Sequence, residues 1–414
     1  MSSHELDRVR VVIAGGGVAA LETLMALRAL AGHRVDVTVI SPERQFLYRP
    51  VTVAEAFERG EARVYDLGEI IEDQGGDLIW DSVAEVDPDD RVAVTGSGER
   101  IRFDALAVAT GALATEPLPG ALTFRGRADV PALRGLLGEL VDGRAKSVAL
   151  ALPSERMWPL PLYELALMTA AHLREHGASA VKVWLVTPEE KPLELFGPAA
   201  SRAISPMLAA RGIGLRSSSR PALVRDRALV LAGGAEIFVD RVITLPVLEG
   251  PRLAGLPHDR HGFIPVDSHG RVSGLSDIYA AGDITAFPLK QGGLAAQQAD
   301  VIAEVIAAEA GCEIVPTPFS PVLRGLLMTG GAPALPSLRA AATVARGDGG
   351  DRGNEITPGS GRRFLGGGTS AVVAACQDRR ALPSSIPRNC APVATRRRAA
   401  RRPRCDTRSG AQRV

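Results

Sequence analysis

At 414 residues the chain exceeds what a single ordinary core organises, so two domains are expected. Hydrophobic residues make up 46% and charged residues 23%, a soluble globular composition, and no apolar run approaches the ~18 residues of a membrane span. The net charge of +1 hides an asymmetry between a basic C-terminal segment and an acidic remainder.

The stretch Met1 to Arg10 is polar and carries no secretory pattern, which predicts a cytoplasmic protein and is compatible with a peripheral membrane contact. Val9 to Ala14 reads as an apolar strand, Gly15-Gly16-Gly17 as a turn, Val18 to about Ala31 as a helix and Val35 to Ile40 as a second strand. Short strands are predicted within Leu78 to Val94, and a buried parallel strand over Asp104 to Ala109, ending at Thr110-Gly111. A second α/β unit opens with a strand at Ser147 to Leu152. It continues with a helix from about Leu162 to His176, stopped by Gly177, and a strand at Val181 to Val186. Ala228 to Leu245 reads as antiparallel strands around a Gly233-Gly234 turn, and a strand-rich pattern resumes at Gly262. A long helix is predicted from about Gly293 to Ala310.

Gly15-x-Gly17-x-x-Ala20 sits between strand and helix, where a dinucleotide pyrophosphate is held. Gly15 permits the tight turn, Gly17 admits the pyrophosphate to the backbone, and Ala20 allows close helix–strand packing. The helix start adds unpaired N–H groups and a positive dipole end. The acid expected at the end of the second strand is replaced by Ser41, with Glu43 two residues on; either can accept a ribose hydrogen bond. This fingerprint alone does not separate FAD from NAD.

Three further segments carry a family resemblance. Ala107-Val108-Ala109-Thr110-Gly111 resembles the A-T-G turn of flavoproteins with two dinucleotide-binding units. Ser276 to Asp283, reading S-D-I-Y-A-A-G-D, resembles their second flavin motif, and Lys290 to Ala299 the segment that caps the flavin ring. Chain order and spacing are similar to those of the FAD-dependent pyridine nucleotide–disulfide oxidoreductase superfamily, in the branch of sulfide:quinone oxidoreductases and type II NADH dehydrogenases. Phe46-Leu47-Tyr48-Arg49-Pro50 resembles the aromatic–proline loop of that branch. The resemblance, which spans about residues 8–330, implies FAD as cofactor and an α/β fold of two Rossmann-like three-layer domains. Residues 1–114 and 252–330 would form the FAD-binding domain, 115–251 an inserted NAD(P)-type domain, and 331–414 a linker and disordered tail. Gly15, Gly17, Val18, Ala19 and Ala20 would meet the pyrophosphate, and Ser41 or Glu43 the ribose. Gly282 and Asp283 would meet the ribityl chain, and Lys290 and Gly293 the ring. Arg49, Pro50, Val83, Thr110 and Gly111 complete the implied cofactor bed. No catalytic residue is assigned.

The second unit departs from that pattern. Where a nicotinamide-binding turn would carry glycines, Ala151 to Glu164 reads A-L-P-S-E-R-M-W-P-L-P-L-Y-E without one. Side chains there obstruct a pyrophosphate, and Glu155 repels it. Pro161-Leu162-Tyr163-Glu164 resembles the G-P-A-Y-E stretch of sulfide:quinone oxidoreductases, yet the redox cysteines that sulfide oxidation needs are missing from it. Cys312, Cys376, Cys390 and Cys405 form no C-x-x-C pair, so neither a disulfide framework nor a zinc site is predicted. His172-Leu173-Arg174-Glu175-His176 matches a zinc-peptidase pattern, but its place in the last turn of a helix is explained by the helix dipole, and no metal is expected. Trp158 and its flanking prolines read as packing rather than as a quinone or partner surface.

Beyond about Ala340 the chain loses periodicity and is expected to be disordered. Residues 340–414 hold 15 Arg, no Lys and 5 acids, with no aromatic after Phe364 to stack on a base, so nucleic acid is not an expected partner. The change near residue 365 resembles a shift of reading frame: one choice of codons for Ala371 to Arg380, read one base out of phase, spells L-W-W-P-P-A-K-I-A-G-R. Three functions follow as expectations. The first is an FAD-dependent oxidoreductase joining an unidentified small-molecule donor to an acceptor of the quinone class. The second is a type II NADH dehydrogenase-like NAD(P)H oxidoreductase. The third is a non-catalytic flavin-binding protein.

Overall fold

A parallel strand covered on both faces must be apolar along its whole length, and the first strand shows why it lies where it does. Val11 to Ala14 are all buried, and Val9–Ala14 takes the middle of a five-stranded sheet. In a computed structural model of the chain, which describes residues 8–155 and 157–330 and the backbone of two further strands, that sheet runs in the order Ile278–Ala280, Ala105–Val108, Val9–Ala14, Val35–Ile40, Asp77–Ile79. All four pairings are parallel, with Val9 opposite Val35 and Val11 opposite Ala105.

The second unit repeats the plan. Its sheet runs Leu122–Thr123, Arg241–Thr244, Ser147–Ala151, Lys182–Val186, Ile213–Arg216, again parallel throughout. In each unit a three-stranded antiparallel meander precedes the strand that returns beside the first. These are Val83–Asp87, Val92–Thr95 and Arg100–Arg102, and Pro221–Arg225, Ala228–Leu231 and Glu236–Phe238. Where the chain leaves and re-enters the first unit, Leu113–Thr115 pairs antiparallel with Val247–Glu249. Two Rossmann-like α/β regions are therefore present.

Helix Val18–Leu30 packs along helix Gly292–Glu309, and small residues let the two approach: Ala19, Ala20, Ala295 and Ala303 share one buried cluster. Several expected elements end within two residues of the observed ones, the helix Leu160–Glu175 and the strand Lys182–Val186 among them. One expectation is corrected. Arg241–Thr244, read as part of an antiparallel run, lies parallel between Leu122–Thr123 and Ser147–Ala151, because its partners come from more than 90 residues away and its local pattern carries no direction. Past Gly262 the strand-rich expectation reduces to isolated bridges and Ile278–Ala280.

Within the segment expected to lack structure, the backbone of Leu338–Val344 pairs antiparallel with Val322–Gly325 and with Ile356–Pro358. The rest of 331–414, with the proposed frame change and Cys376, Cys390 and Cys405, lies outside the described residues. Among those residues, no helix is long and apolar enough to cross a membrane.

Candidate functional site

The carboxyl ends of the first sheet bring the fingerprint together. Gly15 has φ +125°, and a Cβ on it would fall 2.3 Å from the Ala109 carbonyl oxygen, so this glycine exists to let the turn touch the end of Ala105–Val108. At Gly16 a Cβ would instead meet side chains, 2.5 Å from the Ser41 Oγ and 2.6 Å from the Leu67 Cδ2. Gly17 differs: a Cβ on it would meet nothing within 4 Å. It caps helix Val18–Leu30, which has no side-chain cap and no acid in its first turn. The N–H groups that open this helix thus have no side-chain cap among the described residues.

Ser41 is fully buried and its hydroxyl accepts the Glu43 N–H at 3.2 Å, leaving the exposed Glu43 side chain to face outward. Thr110 and Gly111 follow the Ala105–Val108 strand, Arg49 and Pro50 lie in the short 3-10 helix Arg49–Val51, and Val83 opens the first meander at a bulge.

The second flavin-type segment meets the first across helix Val18–Leu30. Gly282 has φ +81°, and a Cβ on it would come 3.0 Å from the Ala19 Cβ and 3.5 Å from the Ala295 Cβ. Its N–H donates to Gln298 Oε1 at 2.7 Å. Asp283 follows on the 3-10 turn Gly282–Ile284. Burial raises its carboxyl above the ordinary range, and the positive charges of Lys290 and Arg49 act against that rise. Lys290 is the complement: burial pulls its ammonium down to about 8, opposed by Asp283 and Asp259. Its Nζ donates to the Thr285 carbonyl and lies 3.7 Å from the centre of the Phe263 ring. Gly293 stands one residue inside helix Gly292–Glu309, whose cap Gln291 accepts the Leu294 N–H at 2.9 Å. Gly15, Gly17, Arg49, Gly282, Asp283 and Lys290 therefore gather at one edge, from segments more than 200 residues apart.

The matching turn of the second unit is built otherwise. In the connection from Ser147–Ala151 to Leu160–Glu175, Trp158 packs edge-on against Phe196, ring centres 5.2 Å apart. Glu155 is exposed and pairs with Arg220 at 3.7 Å. At the end of Lys182–Val186, where a ribose-binding acid would stand, Glu189 is only 4% exposed. Its Oε2 accepts from the Tyr163 hydroxyl at 2.5 Å and from the Thr187 hydroxyl at 2.9 Å. Tyr163 in turn accepts the Leu193 N–H at 3.2 Å. Burial raises Glu189 to about 7 and holds Tyr163 well above the usual phenol range. His172 and His176 stack with ring centres 4.1 Å apart, and His176 Nδ1 lies 2.8 Å from the His172 carbonyl. No group of three metal-ligating side chains occurs among the described residues.

The family model described as pyridine nucleotide-disulphide oxidoreductase matches residues 9–139 and 165–309. The chain belongs to this family. It is 27% identical over 300 residues to an NADH dehydrogenase-like protein of Mycobacterium tuberculosis, covering 67% of this chain and 73% of that one. It is also 27% identical over 308 residues to the ferredoxin–NAD(+) reductase subunit of a benzene 1,2-dioxygenase system of Pseudomonas putida, covering 68% of each. The crystal structure of the sulfide:quinone oxidoreductase of Aquifex aeolicus superposes with a TM-score of 0.67 at 20% identity, covering 81% of each chain.

As a member of this family the chain is an FAD-dependent oxidoreductase. The residues present fit the cofactor: Gly17 leaves a cradle that a side chain would fill, the helix start offers unpaired donors, and a carboxylate and a cation wait at the far motif. In this pyridine nucleotide-disulphide oxidoreductase the motif Pro161-Leu162-Tyr163-Glu164 holds a residue to which the resemblance gave no role. Glu164, 4% exposed, accepts the Met328 N–H at 2.9 Å, and burial pushes its carboxyl up to about 8. Segment 322–328 also bonds to Gln291 and Gln297 of the flavin-type segment, linking that acid to the cofactor side. The available signal was the Pro161-Leu162-Tyr163-Glu164 motif, which does not reveal that its acid is buried.

Proposed function

We propose that this flavoprotein takes electrons from a small-molecule donor other than NAD(P)H and passes them to a small acceptor of the quinone class, in the cytoplasm or at a membrane surface. The observation that carries this reading is the closed second turn. Its connection has no glycine, the acid at the ribose position is turned inward onto Tyr163, and the family match breaks over residues 140–164, where that turn lies. A dinucleotide needs close backbone approach, which the glycine-free connection works against, while of the two acids after this strand Glu189 is turned inward and Glu190 is exposed.

In this reading residues 115–251 are inserted into an FAD-binding domain made of 1–114 and 252–330, an assignment supported by the Leu113–Thr115 and Val247–Glu249 pair. FAD bound at the first unit supplies reversible two-electron chemistry. Gly15, Gly17, Val18, Ala19 and Ala20 bind the pyrophosphate, Glu43 takes the ribose, and Asp283 orients the ribityl hydroxyls. Lys290 and Arg49 keep positive charge beside the buried Asp283, so the site favours added electron density. Glu164 holds a proton at neutral pH.

Anaerobic mixing with NADH tests the proposal. The flavin band should persist at millimolar NADH; bleaching at a physiological concentration would establish the NADH dehydrogenase-like alternative, which the Mycobacterium relative favours. A fully loaded flavin that no quinol, thiol, sulfide or reduced ferredoxin reduces would leave a flavin-binding protein without turnover.

A further inference from the structure

One continuous stretch of chain runs from the cofactor bed to the second unit. It begins at Arg49, whose positive charge bears on Asp283, passes through the short helices Arg49–Val51 and Thr52–Glu55, and ends at Phe57, Glu58 and Arg59. These last three residues close a tight turn, in which the Phe57 and Arg59 N–H groups both donate to the Ala54 carbonyl at 3.1 Å. Glu58 stands there at φ +57°, a left-handed backbone that a glutamate keeps only where its surroundings hold it. The turn has two anchors. Arg134, in helix Val130–Val141, donates to the Glu55 carbonyl at 2.7 Å, and Arg127 pairs with the Glu55 carboxylate at 3.4 Å. The second anchor is the last turn of helix Leu160–Glu175, where Arg59 pairs with Glu175 at 2.5 Å.

At that second anchor Phe57 meets an imidazole. Its ring lies edge-on to that of His172, with centres 6.0 Å apart and planes at 69°. His172 in turn stacks on His176, one helical turn later, ring centres 4.1 Å apart. Around the two imidazoles stand Glu58 and Arg59 from the turn, and Arg174 and Glu175 from their own helix. Arg211, just past helix Pro198–Ala210, adds a cation that acts on Arg174 and Arg59. Glu175 is taken by Arg59, which leaves Glu58 alone to offset Arg174, Arg211 and any charge on the imidazoles. Burial, and then the neighbouring ring, make His172 harder to protonate than a free histidine. A neutral pair stacks and packs against Phe57; a charged pair repels itself and Arg59.

We propose that His172 and His176 form an acid-sensitive latch between the two units: neutral, they hold the turn of Phe57 and Arg59 on the helix, and protonated, they release it. Because that turn is continuous with Arg49, release also loosens the flavin side of the bed. This consequence, unlike the latch, rests on the assignment of the first unit to FAD. The sign follows from burial. His172 takes up a proton less readily when latched than when released, so the latch is complete above the ordinary imidazole value of 6.5 and is lost as pH falls below it. Glu164 and Glu189 act in the opposite sense, since burial raises both, so a loss confined to this turn is distinct from general melting.

Hydrogen–deuterium exchange of the whole protein, corrected for intrinsic rates, is compared at about pH 7.5 and about pH 5. The amides of Phe57, Arg59 and Ala62, all hydrogen-bonded, report the turn. In the parent, acid should lower their protection by about tenfold or more, while helix Val18–Leu30 keeps its own. The double variant His172→Gln/His176→Gln should stay within about twofold over the same range. His176→Gln alone, a change at an exposed ring, should cut the acid effect about threefold, and it serves if the double variant folds poorly. The dissociation constant of FAD, read by flavin fluorescence, should rise about tenfold with acid in the parent and less than about twofold in the double variant. Equal losses of protection in the parent and both variants overturn the latch, as does a parent turn that acid leaves protected. Protection lost with FAD affinity unchanged overturns the link to the bed. A parent protein that takes up no FAD removes the flavin assignment itself, and the exchange result still decides the latch.

Discussion

Two glycines of one fingerprint serve different masters. Gly15 answers to the protein, since its left-handed backbone and the nearby Ala109 carbonyl leave no room for a Cβ, whereas Gly17 has open space and answers to the ligand. Gly15→Ala should therefore lower the stability of the apoprotein by more than about 2 kcal/mol. Gly17→Val should leave the apo melting temperature nearly unchanged and abolish flavin retention. Equal melts for the two variants would contradict this division. At Lys290, positive charge is held in a largely buried place by Thr285 and Phe263. Lys290→Met should lower the two-electron midpoint potential of bound FAD by about 30 mV or more, a tenfold change in the equilibrium. Spectroelectrochemistry measures it, and the gap should narrow above about pH 8, where the buried Lys290 ammonium loses its proton. Ser41 shows the limit of residue-level reading. Its buried hydroxyl is used by the Glu43 N–H, a local turn that spacing alone does not reveal.

The helix Leu160–Glu175 places Tyr163 and Glu164 side by side, and both are spent inside the protein. Burial raises Glu164 from 4.5 to about 8 and Glu189 from 4.5 to about 7. Between those limits the folded state binds more protons than the unfolded state. These two groups therefore stabilise the fold fully below about pH 4.5 and lose that contribution as pH rises through 7 and 8. Glu164→Gln should flatten the fall of unfolding free energy between about pH 5 and pH 8, and denaturant titrations across that range check it. A slope as steep as the parent's would show that Glu164 is ionised in the folded protein. The start of this element was legible as an apolar run after prolines. That its acids face inward was not, because burial of Glu164 is created by segment 322–328, some 160 residues later.

Across the molecule, the proposed cofactor bed draws on residues 15–49, 110–111 and 282–293, so FAD bound there would tie together parts that separate on unfolding. Free FAD at about a hundredfold over its dissociation constant should add about 2.7 kcal/mol of stability, visible as a melting temperature several degrees higher; an unmoved melt would refute binding to this bed. The strand–turn–helix–strand run from Val9 to Ile40 could be read residue by residue, since apolar periodicity and glycine placement are local properties of the chain. The flavin motifs were legible only through their resemblance to those of a known family. The direction of Arg241–Thr244, the inward turn of Glu189 and the meeting of Phe57 with His172 had no such local trace. Each depends on which distant segment folds alongside, and that choice is made by burial over the whole core rather than by any one stretch of sequence.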